Sequence, residues 1–201
     1  MTLMTERPIT ISGTEPHSFE GLLDALDQLD LPDGYKAEII KGNIVVSPWS
    51  KGYYSRVMKL VRRQLEEYLP EGHLIDSAPL LFVFPGAERA YGPDVYAAHE
   101  RTLETDSNRL DGEGLSFVAE LTSPSTRNDD LTEKVEVYGR AGIPAYLVLD
   151  MQEDEASLFL DPYEKGYKSR LTKPFGEKLY LPDPFGCELD TAGFKAPPAE
   201  S

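Results

Sequence analysis

The sequence predicts a mixed α/β domain in which helices flank a central mixed β-sheet that carries extra β-hairpins. Amphipathic helical segments alternate with short apolar strand segments along the chain, as is typical of this class. The 201 residues, of which 40% are hydrophobic, can bury one substantial core. Neither an internal repeat nor a linker divides the chain. We therefore predict a flexible arm at 1–17, a single domain at 18–192 and a disordered tail at 193–201.

The first half of the chain begins with a helix and a hairpin. Phe19, Leu22 and Leu26 recur at steps of three and four residues, as on the apolar face of a helix. Lys41-Gly42-Asn43 separates two apolar runs, as the turn of a hairpin does. The predicted order is a helix at 18–29, a turn at 32–34, a hairpin at 37–49, a helix at 52–69 and strands within 73–84 and 93–98.

The second half of the chain contains the most apolar strands. The run IPAYLVLD is of the kind that is buried on both faces of a sheet. Ser and Thr residues at 123–126 and a glycine at 142 are typical of the start and end of a helix. The predicted order is a polar loop at 99–114, a strand at 115–123, a helix within 123–142, a strand at 143–150 and hairpin strands near 156–160, 166–171 and 177–181.

The charge and cysteine content exclude several classes of protein. Twenty Lys and Arg against 35 Asp and Glu give a net charge of −15, whereas proteins that coat nucleic acid are basic. One cysteine cannot form an internal disulfide or a cysteine-based zinc site. The apolar run at 80–84 is far shorter than the ~20 residues of a membrane helix, and no signal peptide is recognisable. We expect a cytoplasmic protein without a membrane partner.

Three carboxylates stand beside core residues in predicted strands. Asp94 follows Pro93, Glu120 lies between Ala119 and Leu121, and Glu38 precedes an isoleucine. Carboxylates at such positions are costly unless they are paired or bind a metal. Two of them on neighbouring strands would form an oxygen-rich site for Mg²⁺ or Mn²⁺. A metal held there could acidify a water for phosphodiester hydrolysis.

Lys134 is the candidate cation for this site. At about 100° per residue it lies about 60° from Leu131 and about 40° from Tyr138 on the predicted helix. The amine is then at the rim of the buried face and could reach over the sheet. Asp130, four residues earlier, could hold it in place.

A strip of basic residues follows the exposed face of the second predicted helix. This face carries Arg56, Lys59, Arg62 and Arg63, a local positive patch in an acidic chain. Arg56, Lys59 and Arg63 form the strip. It is either a solvated helix face or a guide for the backbone of a nucleic acid.

Each candidate also has a purely structural interpretation. Asp94 after a proline is typical of a turn, Glu38 of a structural carboxylate, and Lys134 of a solvated helix lysine. Ser125 and Thr126 are typical helix caps. The three histidines have no ligand spacing, and the cysteine has no activating neighbour.

Two segments together resemble a known family. GPDV and FVAELTSPSTRNDDLTEKVEVYGRAGIPAYLVLD resemble the bacterial Uma-two family of endonucleases, which belongs to the restriction-endonuclease-like PD-(D/E)XK superfamily. YKAEIIKGNIVVSPWS looks like the opening hairpin of that family, and the resemblance covers about residues 18–170. It implies a central mixed sheet flanked by helices, with the site at one edge.

The resemblance also implies roles for individual residues. Asp94 matches the Asp of the PD motif and Glu120 the second acidic residue, both as metal ligands, with the backbone carbonyl of Leu121 as a third. Glu38 matches an acidic residue that precedes the core. Thr122 stands where the superfamily carries its Lys, and the family moves that Lys to the following helix, here Lys134. A further departure is a tyrosine at position 54, where relatives more often carry His.

These observations predict a Mg²⁺- or Mn²⁺-dependent endonuclease that hydrolyses DNA. Asp94 and Glu120 bind the metal, Lys134 positions water or stabilises charge, and Glu38 assists through a water or a second metal. Two alternatives remain open. One is a catalytically inactive scaffold or interaction protein that self-associates, and the other is a metal-dependent phosphoesterase that acts on a small nucleotide. Because restriction-like domains often act in pairs, a homodimer is also open.

Overall fold

The structure is a computed structural model that describes residues 9–11, 18–31, 35–48 and 52–195. The predicted turn at 32–34, most of the predicted arm and the last six residues of the predicted tail lie outside the described residues. The prediction of a mixed α/β fold is confirmed.

The helices of the described residues are short apart from the second one. They are α1 (Phe19–Asp27), α2 (Gly52–Leu65), α3 (Glu100–Leu103), α4 (Arg127–Leu131) and α5 (Glu133–Arg140). Ser18 caps α1 because its hydroxyl accepts a hydrogen bond from the Gly21 N–H at 3.2 Å. The apolar stripe of α2 consists of Tyr54, Val57, Val61 and Leu65, all of which are buried.

The strands of the described residues divide between two six-stranded sheets and one hairpin. The first sheet has the order β1-β3-β2-β6-β5-β8, the second β12-β11-β10-β9-β7-β4, and β13 pairs with β14. The bounds are β1 (Ile9–Ile11), β2 (Tyr35–Ile40), β3 (Asn43–Pro48), β4 (His73–Asp76), β5 (Leu81–Phe84), β6 (Arg89–Tyr91), β7 (Val95–His99), β8 (Arg109–Asp111), β9 (Leu115–Leu121), β10 (Ala145–Asp150), β11 (Glu155–Tyr163), β12 (Gly166–Pro174), β13 (Lys178–Leu181) and β14 (Cys187–Asp190).

The parallel pair β9 and β10 lies at the centre of the second sheet. Every residue of both strands is buried, as the near-continuous apolar run of β10 predicts. Phe117, Ala119 and Leu121 face α2 and the β13–β14 hairpin. Val118 and Tyr146 face α5 and the first sheet. Since α4 and α5 connect β9 to β10, this crossover holds the helices against the end of β9.

The β2–β3 hairpin forms where the sequence predicts it. Lys41 and Gly42 both have positive φ (50° and 72°), as a two-residue type I′ turn requires. The turn sets the pairing of Glu38 with Val45 and of Ile39 with Ile44.

Two local predictions differ from the structure. Residues 99–114 are predicted to be loop but contain α3 and β8, whose few residues are too polar for a visible pattern. The helix predicted within 123–142 breaks at Thr132 (φ −130°, ψ −75°) into α4 and α5. The Thr132 hydroxyl donates to the Asn128 carbonyl at 2.6 Å, a side-chain bond that competes with the helix backbone.

The packed structure also extends beyond the predicted domain limits. Within the predicted arm, residues 9–11 form β1 and pair with β3. Within the predicted tail, Phe194 is fully buried and its ring contacts Phe175 edge to face. Among the described residues, no helix is both long and apolar enough to cross a membrane.

Candidate active site

Lys134 lies at the centre of a buried cluster of carboxylates. Its Nζ donates to Glu120 Oε1 at 2.8 Å and lies 3.1 Å from Asp130 Oδ1 and 3.4 Å from Glu38 Oε1. The residue is only 2% exposed, and so are its three partners. The structure therefore brings Lys134, Glu120 and Glu38 together, and Asp130 contacts the amine as its spacing predicts.

A second lysine joins the same cluster from the first sheet. Lys36 Nζ donates to the Gly92 carbonyl at 2.9 Å and lies 3.6 Å from Asp94 Oδ1 and 3.9 Å from Glu38 Oε2. Glu38 Oε1 accepts the Gly92 N–H at 3.0 Å. Both lysines thus contact Glu38, and β2 contributes Lys36 and Glu38 to the site.

Asp94 is fixed next to Glu120 by the backbone. Asp94 Oδ2 accepts the N–H of Leu121, the residue after Glu120, at 2.8 Å. Asp94 immediately precedes β7, which pairs with β9 in antiparallel fashion. Asp94 therefore lies at the start of the strand that pairs with the strand of Glu120.

Burial and the lysines act in opposite directions on the two glutamates. Burial raises the pKa of Glu120 to about 8, with Asp94 adding to the rise and Lys134 opposing it. Burial alone would also raise the pKa of Glu38, but Lys134 and Lys36 hold it below its ordinary value. Burial raises the pKa of Asp130 as well. At neutral pH, a proton or a further cation therefore has to accompany Glu120.

The two ammonium groups stay charged in this environment. Burial alone would lower the pKa of Lys134, but Asp130, Glu120 and Glu38 raise it well above its ordinary value. Lys36 shows the same balance, since Glu38 and Asp94 raise its pKa against the effect of burial. Two ammonium groups therefore stand among these buried carboxylates at neutral pH.

The carboxylates of the cluster are of the ligand type that a divalent cation takes, although the side chains do not form a ready-made cage for one. Four carboxylates and two ammonium groups meet here, which leaves a formal excess of two negative charges. Mg²⁺ is commonly held by one or two carboxylates together with waters. The sequence predicts Asp94, Glu120 and the Leu121 carbonyl as ligands, and each carries an oxygen of this kind. Within the described ranges, no group of three or more His, Cys, Asp and Glu side chains has a metal-binding arrangement.

Thr122 and Tyr54 have structural contacts. Thr122 is fully buried, and its hydroxyl donates to Gln152 Oε1 at 2.8 Å and accepts the Met151 N–H at 3.0 Å. The Tyr54 hydroxyl donates to the Thr122 carbonyl at 2.7 Å. Tyr54 thereby ties the start of α2 to the end of β9.

The basic strip lies on the surface of α2. Arg56, Lys59 and Arg63 are all exposed, and Arg56 donates to the Gly193 carbonyl at 3.2 Å. A cleft of about 190 Å³ opens beside Lys36 and Asp94, and none of the three strip residues lines it.

Two contributors to the site are absent from the sequence-based prediction. Lys36 stands two residues before Glu38, and alternate residues of a strand face the same side. Tyr138 stands four residues after Lys134, and its hydroxyl donates to Glu120 Oε1 at 3.0 Å. Both spacings are visible in the sequence, but only the fold shows that the residues meet Glu120 and Glu38.

Comparison with known proteins shows the family and the fold of this chain. The model of the Uma2 (Uma-two) family, described as "Putative restriction endonuclease", matches residues 23–192. A search of curated proteins finds no match. The fold is similar to the crystal structure of "a putative nuclease belonging to DUF820 from Anabaena variabilis". The TM-score is 0.69 at 14% identity, over 89% of this chain and 97% of that one. The fold is therefore restriction-endonuclease-like, and the chain belongs to the Uma2 family.

Proposed function

We propose that this nuclease-family chain is a Mg²⁺- or Mn²⁺-dependent endonuclease that hydrolyses DNA phosphodiester bonds. One observation carries the proposal. The Lys134 ammonium lies 2.8 Å from Glu120, and the N–H that follows Glu120 binds Asp94. Two carboxylates and a lysine from three separate parts of the chain thus meet beside β7 and β9, between the two sheets.

Asp94, Glu120 and the Leu121 carbonyl are the groups that would hold the metal. When bound, the metal supplies a Lewis acid that polarises the phosphate and acidifies a water. The remaining residues act on position and charge. Asp130 and Glu38 hold the Lys134 ammonium near the scissile phosphate, where it stabilises negative charge. Glu38 assists by accepting a hydrogen bond from a water.

A cleavage assay with supercoiled plasmid DNA and millimolar Mn²⁺ tests the proposal. We expect Asp94→Asn, Glu120→Gln and Lys134→Met each to reduce cleavage about 100-fold or more, because each removes a charge from the reacting centre. Glu188→Gln, at an exposed carboxylate on β14, is the matched control and should cleave like the wild type. Equal cleavage by all of these proteins would reject the site.

Calorimetry with Mn²⁺ gives a readout that does not depend on activity. We expect stoichiometric binding to the wild type and none to the variant that combines Asp94→Ala with Glu120→Ala. Binding without cleavage of any nucleic acid would favour the phosphoesterase alternative, which a mononucleotide substrate then tests. Absence of both binding and cleavage would favour the non-catalytic scaffold.

We further propose that Arg56, Lys59 and Arg63 guide the DNA backbone. Lys59 and Arg63 are exposed on one face of α2 and have room to contact phosphates. Each phosphate contact releases counterions, so Lys59→Ala and Arg63→Ala should each lower the slope of log affinity against log salt by about 1. Binding of labelled DNA to a Glu120→Gln protein at several salt concentrations measures this slope. An unchanged slope would contradict the role of the strip.

A further inference from the structure

The cleft beside Asp94 has one polar end and one apolar wall. Lys36 and Asp94 form the polar end, where their side chains are 24% and 10% exposed. Tyr35, Met58 and Leu80 belong to the apolar wall. With a volume of about 190 Å³, the cleft is smaller than the pockets of about 300 Å³ or more that hold drug-sized ligands. It suits a single flat ring system with an attached charged group.

The charge of the cleft argues against a DNA duplex as its occupant. A duplex shows a protein mainly its phosphates, and their binding depends on neutralising cations. Among the described residues that line the cleft, Lys36 is the lone cation, and the whole chain carries a net charge of −15. Apolar side chains offer nothing to a phosphate, but they stack well against the face of a base.

The cleft adjoins the proposed cleavage site. Asp94 lines the cleft and also accepts the N–H of the residue after Glu120. Lys36 faces the cleft and contacts both Asp94 and Glu38. A group bound in the cleft is therefore next to the carboxylates that we propose to act on the scissile phosphate.

We propose that this cleft receives the base of an unpaired nucleotide adjacent to the scissile phosphate, with Lys36 contacting the phosphate of that nucleotide. The inference rests on the proposed function and names its substrate class as single-stranded or locally unpaired DNA. A duplex is a poor substrate because it must first unstack the base that enters the cleft.

Ala78 and Met58, both in the cleft lining, provide the test variants. Ala78→Phe fills the cleft, and Met58→Gln makes its wall polar at nearly constant side-chain length. Ala25→Phe, at an exposed position of α1, is the matched control for the added ring. Thermal unfolding and Mn²⁺ calorimetry on each variant establish that the fold and the metal site are intact.

The assay compares one labelled oligonucleotide as a single strand and as a duplex, in Mn²⁺. We expect the wild type and Ala25→Phe to cleave the single strand about 10-fold faster or more, and both cleft variants to lose this preference. Equal rates on the two substrates in the wild type would overturn the inference, as would an unchanged preference in the cleft variants. In either case plasmid cleavage by the wild type would still support the proposed function.

If no nucleic acid is cleaved, the proposed function fails. A binding measurement then tests whether the cleft is a nucleotide site. Fluorescence anisotropy with the same labelled single strand then compares the wild type with Ala78→Phe. Weaker binding to the filled cleft by about 10-fold supports a nucleotide site there. Equal affinities overturn it.

Discussion

Lys134 and Lys41 form ion pairs of nearly equal length in very different surroundings. Lys134 Nζ lies 2.8 Å from Glu120 and its side chain is 3% exposed, whereas Lys41 Nζ lies 2.7 Å from Asp129 with a side chain 52% exposed. A buried charge that loses its partner cannot turn to water, but an exposed one can. The energetic importance of the two lysines therefore differs much more than their distances do.

Replacing these two lysines measures that difference. We expect Lys134→Met to lower the free energy of unfolding by about 3–5 kcal/mol, because three buried carboxylates lose their ammonium neighbour. Lys41→Met, the matched control, should lower it by about 1 kcal/mol or less. Urea unfolding at neutral pH measures both. Similar losses for the two variants would show that the Lys134 cluster is solvated.

At this scale, the sequence selects the candidate carboxylates more readily than the lysine that contacts them. Glu120 and Asp94 can be selected because a carboxylate beside core residues is costly, which is a local property of the sequence. Lys36 cannot be selected in this way, because its contact with Asp94 joins residues 58 positions apart and depends on how the first sheet meets the second. The contacts of Lys36 therefore follow from the fold and not from the local sequence.

Among the elements, α5 decides the geometry of the site because it carries both Lys134 and Tyr138. Gly139 places this helix directly against β12, because a Cβ at Gly139 would overlap the Gly166 carbonyl oxygen. No side chain fits there unless the helix or the strand moves. The glycine therefore sets how closely the Lys134 helix approaches the second sheet.

A pair of glycine variants tests this contact. We expect Gly139→Ala to lower the free energy of unfolding by about 1–3 kcal/mol through overpacking. Gly52→Ala, at the start of α2 where a Cβ meets nothing within 4 Å, should leave stability unchanged or raise it by up to about 1 kcal/mol. Urea unfolding compares the two. A Gly139→Ala protein as stable as the wild type would mean that β12 can shift to admit the methyl group at little cost in free energy.

The elements also show where local patterns fail. The β2–β3 hairpin is predictable because its turn residues and apolar runs are adjacent in the chain. The break at Thr132 is not, because the same residues fit one continuous helix by periodicity, and a single hydroxyl bond to Asn128 accompanies the interruption. Strand β8 is missed because only Leu110 in it is buried.

For the whole molecule, the buried tyrosines make the free energy of unfolding decrease at high pH. Burial raises the pKa of Tyr96 to about 12, and it also raises the pKa of Tyr146 and Tyr167. In the unfolded chain a tyrosine loses its proton near pH 10. The folded state keeps these protons longer, so its stability is complete below pH 10 and declines as the pH rises through the folded-state values.

Tyr96→Phe isolates one of these contributions. Between pH 10 and 12 the free energy of unfolding of the wild type should fall more steeply than that of the variant, by about 1.4 kcal/mol per pH unit. Urea unfolding at several pH values in this range gives both slopes. Identical slopes would mean that Tyr96 ionises equally in both states.

The overall class follows from the sequence, but the arrangement of the sheets does not. Alternating helix and strand signals are enough to predict a mixed α/β fold. They cannot show that the strands divide between two six-stranded sheets, because pairs such as β5–β8 and β2–β6 join segments that are distant in the chain. The site lies between these sheets. The sequence therefore predicts several of its candidate residues but not the residues that surround them.

Strand β1 has a consequence for the behaviour of the protein in solution. Its pairing of Ile9 with Val46 and of Ile11 with Ile44 covers the outer side of β3. Proteolytic trimming of the first residues would uncover a row of free backbone amides and carbonyls beside apolar side chains, which is the usual template for strand exchange between molecules. Pairing with β1 therefore guards this edge of the first sheet against strand exchange.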